Sequence, residues 1–157
     1  MNPSDWQKQA KANQKKYARL LDIRDKNRIL SKLPELHVEA FSKIDCLTCA
    51  NCCKNHSPRF KQPEIKRISK VLGMKEGEFA VTYLRLDNEG DYVTKKSPCP
   101  FLDTDNTCKI YDDRPSDCRR YPYTDEDVFY KRPLLTLKNA TICPAVFYIL
   151  EKLEKVV

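Results

Sequence analysis

The chain of 157 residues holds only three glycines, Gly73, Gly77 and Gly90, and only two histidines, His37 and His56. Phosphate-cradling loops and dinucleotide fingerprints need clustered glycines for close backbone approach, which excludes nucleotide chemistry of those two kinds. Two histidines leave little material for a Ser-His-Asp hydrolase. No spacing singles out a carboxylate pair for sugar hydrolysis. No run approaches the roughly 20 apolar residues that span a bilayer. Even the apolar stretch from Ala145 to Leu150 is short and runs straight into charge. Met1 to Lys16 has no apolar core of a signal peptide. The expectation is a cytoplasmic protein with no membrane insertion.

What the chain does have is cysteine, eight in all. Four sit close together, Cys46, Cys49, Cys52 and Cys53; the others, Cys99, Cys108, Cys118 and Cys143, are spread through the C-terminal half. In a reducing compartment such a set argues for metal ligation over disulfides. Thiolates are soft ligands that suit zinc, copper(I) and iron–sulfur clusters and suit magnesium or calcium poorly. Cysteines two residues apart chelate one centre at a small loop-closure cost, and Cys46, Cys49 and Cys52 repeat that spacing. Bacterial ferredoxins use the same run with a further cysteine before proline. Cys99-Pro100 and Cys143-Pro144 both offer one.

Conformation decides which clustered thiols cooperate. On a helix turning about 100° per residue, Cys46, Cys49 and Cys53 share a face; in an irregular loop, Cys46, Cys49 and Cys52 form the trio. Neighbouring side chains diverge, so Cys52 and Cys53 are expected to serve different sites. Eight thiols divide naturally into two four-ligand centres, with the pairing left open. Other readings stand beside this one. Cys108 can be an ordinary buried thiol, the set can be a disulfide framework, or Cys46 and Cys49 can be a redox dithiol. His56, three residues past Cys53, can replace a thiol in a Cys3His zinc site. His37 reads as structural.

Hydrophobic residues make up 41% and charged ones 32%, a globular balance, with a formal net charge of +7. Through Lys43 there are ten Lys/Arg against five Asp/Glu, a balance of +5, so the excess sits at the N-terminus. That region can meet nucleic acid or an acidic protein, or it can be a solvated helix face. Loaded thiolates would cancel much of the positive charge.

Ser4 to Gln7 resembles a capping box opening a helix that runs to about Leu30. Pro34 suits the first turn of a second helix ending at Ile44. A helix from Gln62 stops at Gly73, and a short one covers Lys75 to Tyr83. Hairpins are expected around Asn88-Glu89-Gly90 and around residues 103–107. Asp113 is expected to cap the short helix containing Cys118, residues 127–137 to hold a strand pair, and Pro144 to open a final helix. The fold class is α+β: a small, mostly helical single domain with short β-hairpins, organised around cysteine-ligated metal sites. Residues 1–44 form an N-terminal helical extension and 45–157 the metal-binding domain.

Cys46-Leu-Thr-Cys49-Ala-Asn-Cys52-Cys53, Cys99-Pro-Phe-Leu102, Cys108-Lys-Ile-Tyr111, Arg114-Pro-Ser-Asp-Cys118-Arg-Arg-Tyr121-Pro122 and Cys143 together resemble the CxxCxxCC cysteine-cluster family, the YkgJ-like group. The resemblance spans Cys46 to Pro144 and leaves the N-terminal helices outside. It implies a zinc- or iron-chelating domain with all eight cysteines as ligands. A related region accompanies flagellin lysine methylases, an enzyme link that carries no catalytic residue onto this chain. Arg114, Arg119 and Arg120 bracket Cys118, either as donors to thiolate sulfur or in salt bridges with Asp112, Asp113 or Asp117. The expected function is chelation of zinc or iron at two cysteine centres. The alternatives are a four-iron four-sulfur protein with a redox or transferase role, and a metal-stapled module binding protein or nucleic acid through its basic N-terminus.

Overall fold

The computed structural model describes the backbone of residues 3–157 and side chains from Asp5 onward. The first half contains α1 (Pro3–Ala12), α2 (Gln14–Leu21), α3 (Asn27–Leu30), α4 (Leu33–Lys43), α5 (Cys46–Cys49) and α6 (Asn51–Asn55). Then come α7 (Gln62–Val71), α8 (Glu76–Tyr83), β1 (Leu84–Leu86) and β2 (Tyr92–Thr94). A 3₁₀ turn (Tyr111–Asp113) precedes α9 (Ser116–Arg120), α10 (Val128–Lys131), α11 (Pro133–Ala140) and α12 (Pro144–Val156). The described chain is mostly helical with one short antiparallel hairpin. No single described helix is long and apolar enough to cross a membrane.

The helix expected from Asp5 to Leu30 is three helices. The backbone breaks at Asn13 (φ −96°, ψ 12°) and again after Leu21. There Lys26 Nζ caps the Leu21 carbonyl at 2.5 Å and Asp25 Oδ1 accepts the Asn27 N–H at 3.1 Å. Such local side-chain bonds compete with the helix ladder, and here they win. The Ser4 cap lies outside the described side chains. The first hairpin forms as expected, with Leu84 opposite Thr94 and Leu86 opposite Tyr92. Its turn uses Gly90 at φ +82°, while Asp87 Oδ1 accepts the N–H groups of Glu89 and Asp91. The second hairpin shrinks to a single bridge between Leu102 and Cys108. Residues 127–137, expected as strands, are α10 and the start of α11. Pro133 opens α11, and Thr136 Oγ1 donates to the Phe129 carbonyl at 2.6 Å, closing the corner between the two helices. Asp113 belongs to the 3₁₀ turn, so Pro115 rather than Asp113 precedes the Cys118 helix.

Packing groups the chain into two compact units. One compact unit comprises Met1–Cys46 with Pro122–Val157, and the other Leu47–Tyr121. In the first, α12 packs on α1, α2, α4 and α11. Trp6, Tyr17, Leu21, Leu33, Phe129, Ile149 and Leu153 share its buried core. The N-terminal helices are therefore half of a bundle. His37 serves this unit, its Nδ1 2.7 Å from Thr124 Oγ1 and its ring 4.8 Å from that of Phe41.

The second unit carries six of the cysteines and has its own apolar core of Phe60, Ile65, Ile68, Phe79, Leu84, Phe101 and Ile110. Ile65 and Ile68 of α7 lie one turn apart on its buried face. The end of α7 is a Schellman closure: Gly73 (φ +69°) donates to the Lys70 carbonyl and Met74 to the Ser69 carbonyl at 2.8 Å. Phe79 is fully buried, with ring centroids of Tyr83, Phe101 and Phe60 at 5.4, 6.0 and 6.1 Å. Truncation at such a site removes both transfer energy and packing. Phe79→Ala is expected to lower stability by about 3–5 kcal/mol, measured by chemical denaturation.

Candidate metal centre

The cysteine-rich run is neither one helix nor a loop. It forms two short helical turns, α5 and α6, separated by Ala50 in the left-handed region at φ +46°. A non-glycine residue there carries a steric penalty of roughly 1–2 kcal/mol. The kink therefore cancels the simple face arithmetic for Cys46, Cys49, Cys52 and Cys53. Cys52 lies close enough to Cys53 to lower its pKa through a side-chain hydrogen bond.

Backbone bonds bring the remaining thiols of this unit alongside. The Cys99 N–H donates to the Cys53 carbonyl at 2.7 Å, tying α6 to the Cys99 loop. That loop returns through the Leu102–Cys108 bridge and a Lys109 N–H to Phe101 carbonyl bond of 2.8 Å. Cys118 lies in the middle of α9. Cys53, Cys99, Cys108 and Cys118 are each partly buried and stand near enough for their charges to interact. Burial pushes the Cys99 thiol up to about 11, and charge on Cys53 and Cys108 adds to the rise. Cys108 is raised first by burial and then by Cys53, against the nearby Arg114 charge. Cys118 is raised furthest, by burial first and then by Cys99, Cys53, Asp117 and Cys108. Cys53 goes the other way, to about 7. The hydrogen bond from Cys52 is the largest influence, and the Arg114 charge and the neighbouring His56 assist it against burial.

This donor set suits a soft metal, because a bound cation removes the mutual repulsion that opposes ionising buried thiols. The ligand set is not closed, however: among the described residues no three His, Cys, Asp or Glu side chains are grouped closely enough to hold a metal ion. Cys49 and Cys52 belong to the same unit as these four thiols. Cys46 and Cys143 belong to the helical unit, Cys46 exposed and Cys143 preceding α12 with its N–H on the Asn139 carbonyl at 2.7 Å.

Two of the arginines around Cys118, Arg114 and Arg119, bond to backbone. Arg114 donates from Nε to the Tyr111 carbonyl at 2.8 Å and lies 3.8 Å over the Tyr111 ring. Arg119 donates to the Asp112 carbonyl, not to its carboxylate. Asp117 instead accepts the Arg59 N–H at 2.9 Å and lies 3.6 Å from the Arg59 guanidinium. His56 stacks on Tyr121 at 4.7 Å, with Nε2 buried, lacking a hydrogen-bond partner, and 3.8 Å from Asp117 Oδ2.

Sequence reasoning passed over Glu64. The residue is 7% exposed, and its carboxylate accepts the Lys61 N–H at 2.9 Å and the Ser116 N–H at 2.8 Å. The first bond is the glutamate half of a capping box, legible as a glutamate three residues after the cap position. The second, 52 residues away, has no local signal.

A family model described as "CxxCxxCC: Putative zinc- or iron-chelating domain" matches residues 45–143. No curated protein matches the chain, and no solved structure does.

Burial acts to raise the Glu64 pKa, but the bonds from Ser116 and Lys61 outweigh it and hold the group below the usual glutamate range. A depressed carboxylate binds protons less readily folded than unfolded, so its stabilisation is complete above the unfolded value of about 4.3 and is lost as pH falls through the folded value. Acid titration of wild type and Glu64→Gln, followed by circular dichroism, should therefore show stability curves that converge as pH falls through the depressed folded value.

Proposed function

The chain belongs to the CxxCxxCC family, and from that premise we propose that it chelates zinc or iron through Cys53, Cys99, Cys108 and Cys118 as one thiolate set. The observation that carries this reading is the mutual electrostatic reach of those four thiols inside one compact unit. In the metal-free state three of them are held protonated by burial and by one another, and Cys53, with its depressed pKa, supplies the first thiolate. A bound cation would supply the positive charge that lets the others ionise, drawing the thiols into a closed set. Arg114, pinned over Tyr111, adds a fixed charge that favours thiolate at Cys53 and Cys108. The count of eight cysteines supports a second centre beyond this set.

Protein purified without oxygen is expected to carry stoichiometric zinc or iron. Cys99→Ser and Cys118→Ser are each expected to lose the metal held by this four-thiol set. Visible absorption in the same sample separates the metals: a colourless zinc protein supports mononuclear chelation, and a brown one with equal iron and sulfide supports the iron–sulfur form. Wild-type protein that is isolated metal-free and takes up no added zinc, cobalt or iron would rule the proposal out.

A further inference from the structure

The Cys118 thiol sits on α9, a five-residue helix too short to hold itself in place. Two carboxylates tie it to its surroundings, one from α9 itself and one from α7. Asp117 reaches out of α9 to the Arg59 N–H at 2.9 Å. Glu64 reaches in from α7, and its Oε1 takes the N–H of Ser116, the first residue of α9, at 2.8 Å. The Ser116 hydroxyl bonds the same carboxylate. The other oxygen, Oε2, accepts the Lys61 N–H at 2.9 Å, at the start of α7. One buried anion thus satisfies orphan N–H groups at the beginnings of two helices, where both helix dipoles favour negative charge. Helix α7 is in turn fixed by Ile65 and Ile68, 1% and 0% exposed in the apolar core. The chain of support runs from that core through α7 and Glu64 to α9, and ends at a thiol two residues beyond Ser116.

We propose that Glu64 is a positioning residue for the metal centre: by bridging the starts of α7 and α9 it sets Cys118 in place before any metal binds. The inference rests on the chelation reading above and names the residue that prepares its ligand set. Outer groups that orient ligands typically change metal affinity 10–100-fold when removed. A group that merely stabilised the fold would lower the melting temperature and leave the affinity of the folded protein alone.

The test compares Glu64→Ala, Glu64→Gln and Ile68→Val in the full chain. Ile68→Val trims the same helix inside the core and touches neither carboxylate bond. Metal-free circular dichroism melts report stability. Cobalt(II) binding, measured by competition well below each melting temperature, reports affinity. Maleimide labelling of the metal-free protein, mapped by mass spectrometry, reports the placement of Cys118. Glu64→Ala is expected to weaken cobalt binding by about tenfold or more and to increase labelling at Cys118. Glu64→Gln, which keeps a single acceptor oxygen, is expected to show a smaller loss in the same direction, and it decides the matter if Glu64→Ala does not fold. Ile68→Val is expected to melt earlier with unchanged cobalt affinity. Wild-type affinity in both Glu64 variants, or an equal loss in Ile68→Val, overturns the role of Glu64 and leaves chelation standing. Wild-type protein that takes up no cobalt, zinc or iron removes chelation and this inference together.

Discussion

The constraint on which the cysteine unit turns is the confinement of several ionisable sulfurs in one partly buried space. Each of Cys99, Cys108 and Cys118 is pushed toward the neutral thiol by burial, and each is pushed further by charge on its neighbours. Only Cys53 escapes, because Cys52 donates to it and Arg114 and His56 lie close. A set of ordinary buried thiols would need no such company of arginine and histidine. A soft cation relieves both penalties at once, by cancelling the charge and by replacing the lost solvation.

The surroundings prepare this space without using sulfur. An aromatic cluster of Phe60, Phe79, Tyr83 and Phe101 gives the unit an apolar centre. Backbone bonds join the Cys53 segment to the Cys99 loop, and carboxylates of Glu64 and Asp117 fix the helix of Cys118. A metal in such a frame would complete a fold that already has a core. That differs from the smallest zinc modules, which lack a core and are unfolded without metal. The helical unit has a separate apolar core, formed by helices from both ends of the chain.

Where sequence reasoning worked, the signal was local. Pro34, Pro63 and Pro144 mark the first turns of α4, α7 and α12, Gly73 marks the end of α7, and Asn88-Glu89-Gly90 marks the hairpin. The misreadings share a cause. Residues 127–137 are apolar enough for strands, and only the Thr136–Phe129 bond and burial of Phe129 and Leu137 in the bundle make them helical. The face arithmetic of Cys46 to Cys53 assumed a uniform backbone, and a left-handed alanine, at a conformation glycine usually takes, kinks it. Propensity and periodicity are properties of neighbours in the chain, and tertiary packing overrides them at modest energy.

The sequence by itself determined the chemistry. Eight thiols in the CxxCxxCC pattern are soft donors by chemistry, and they mark the family to which the chain belongs. What only the tertiary structure decided is which thiols share a space. It placed Cys53, Cys99, Cys108 and Cys118 in mutual electrostatic reach, and it put Cys46 and Cys143 in the unit built from the chain's two ends. It also recruited Glu64, whose partner Ser116 lies 52 residues away. Ligand type is written in side-chain identity, which a sequence states outright. Ligand grouping depends on loop closure and core packing across long separations, which no local pattern encodes.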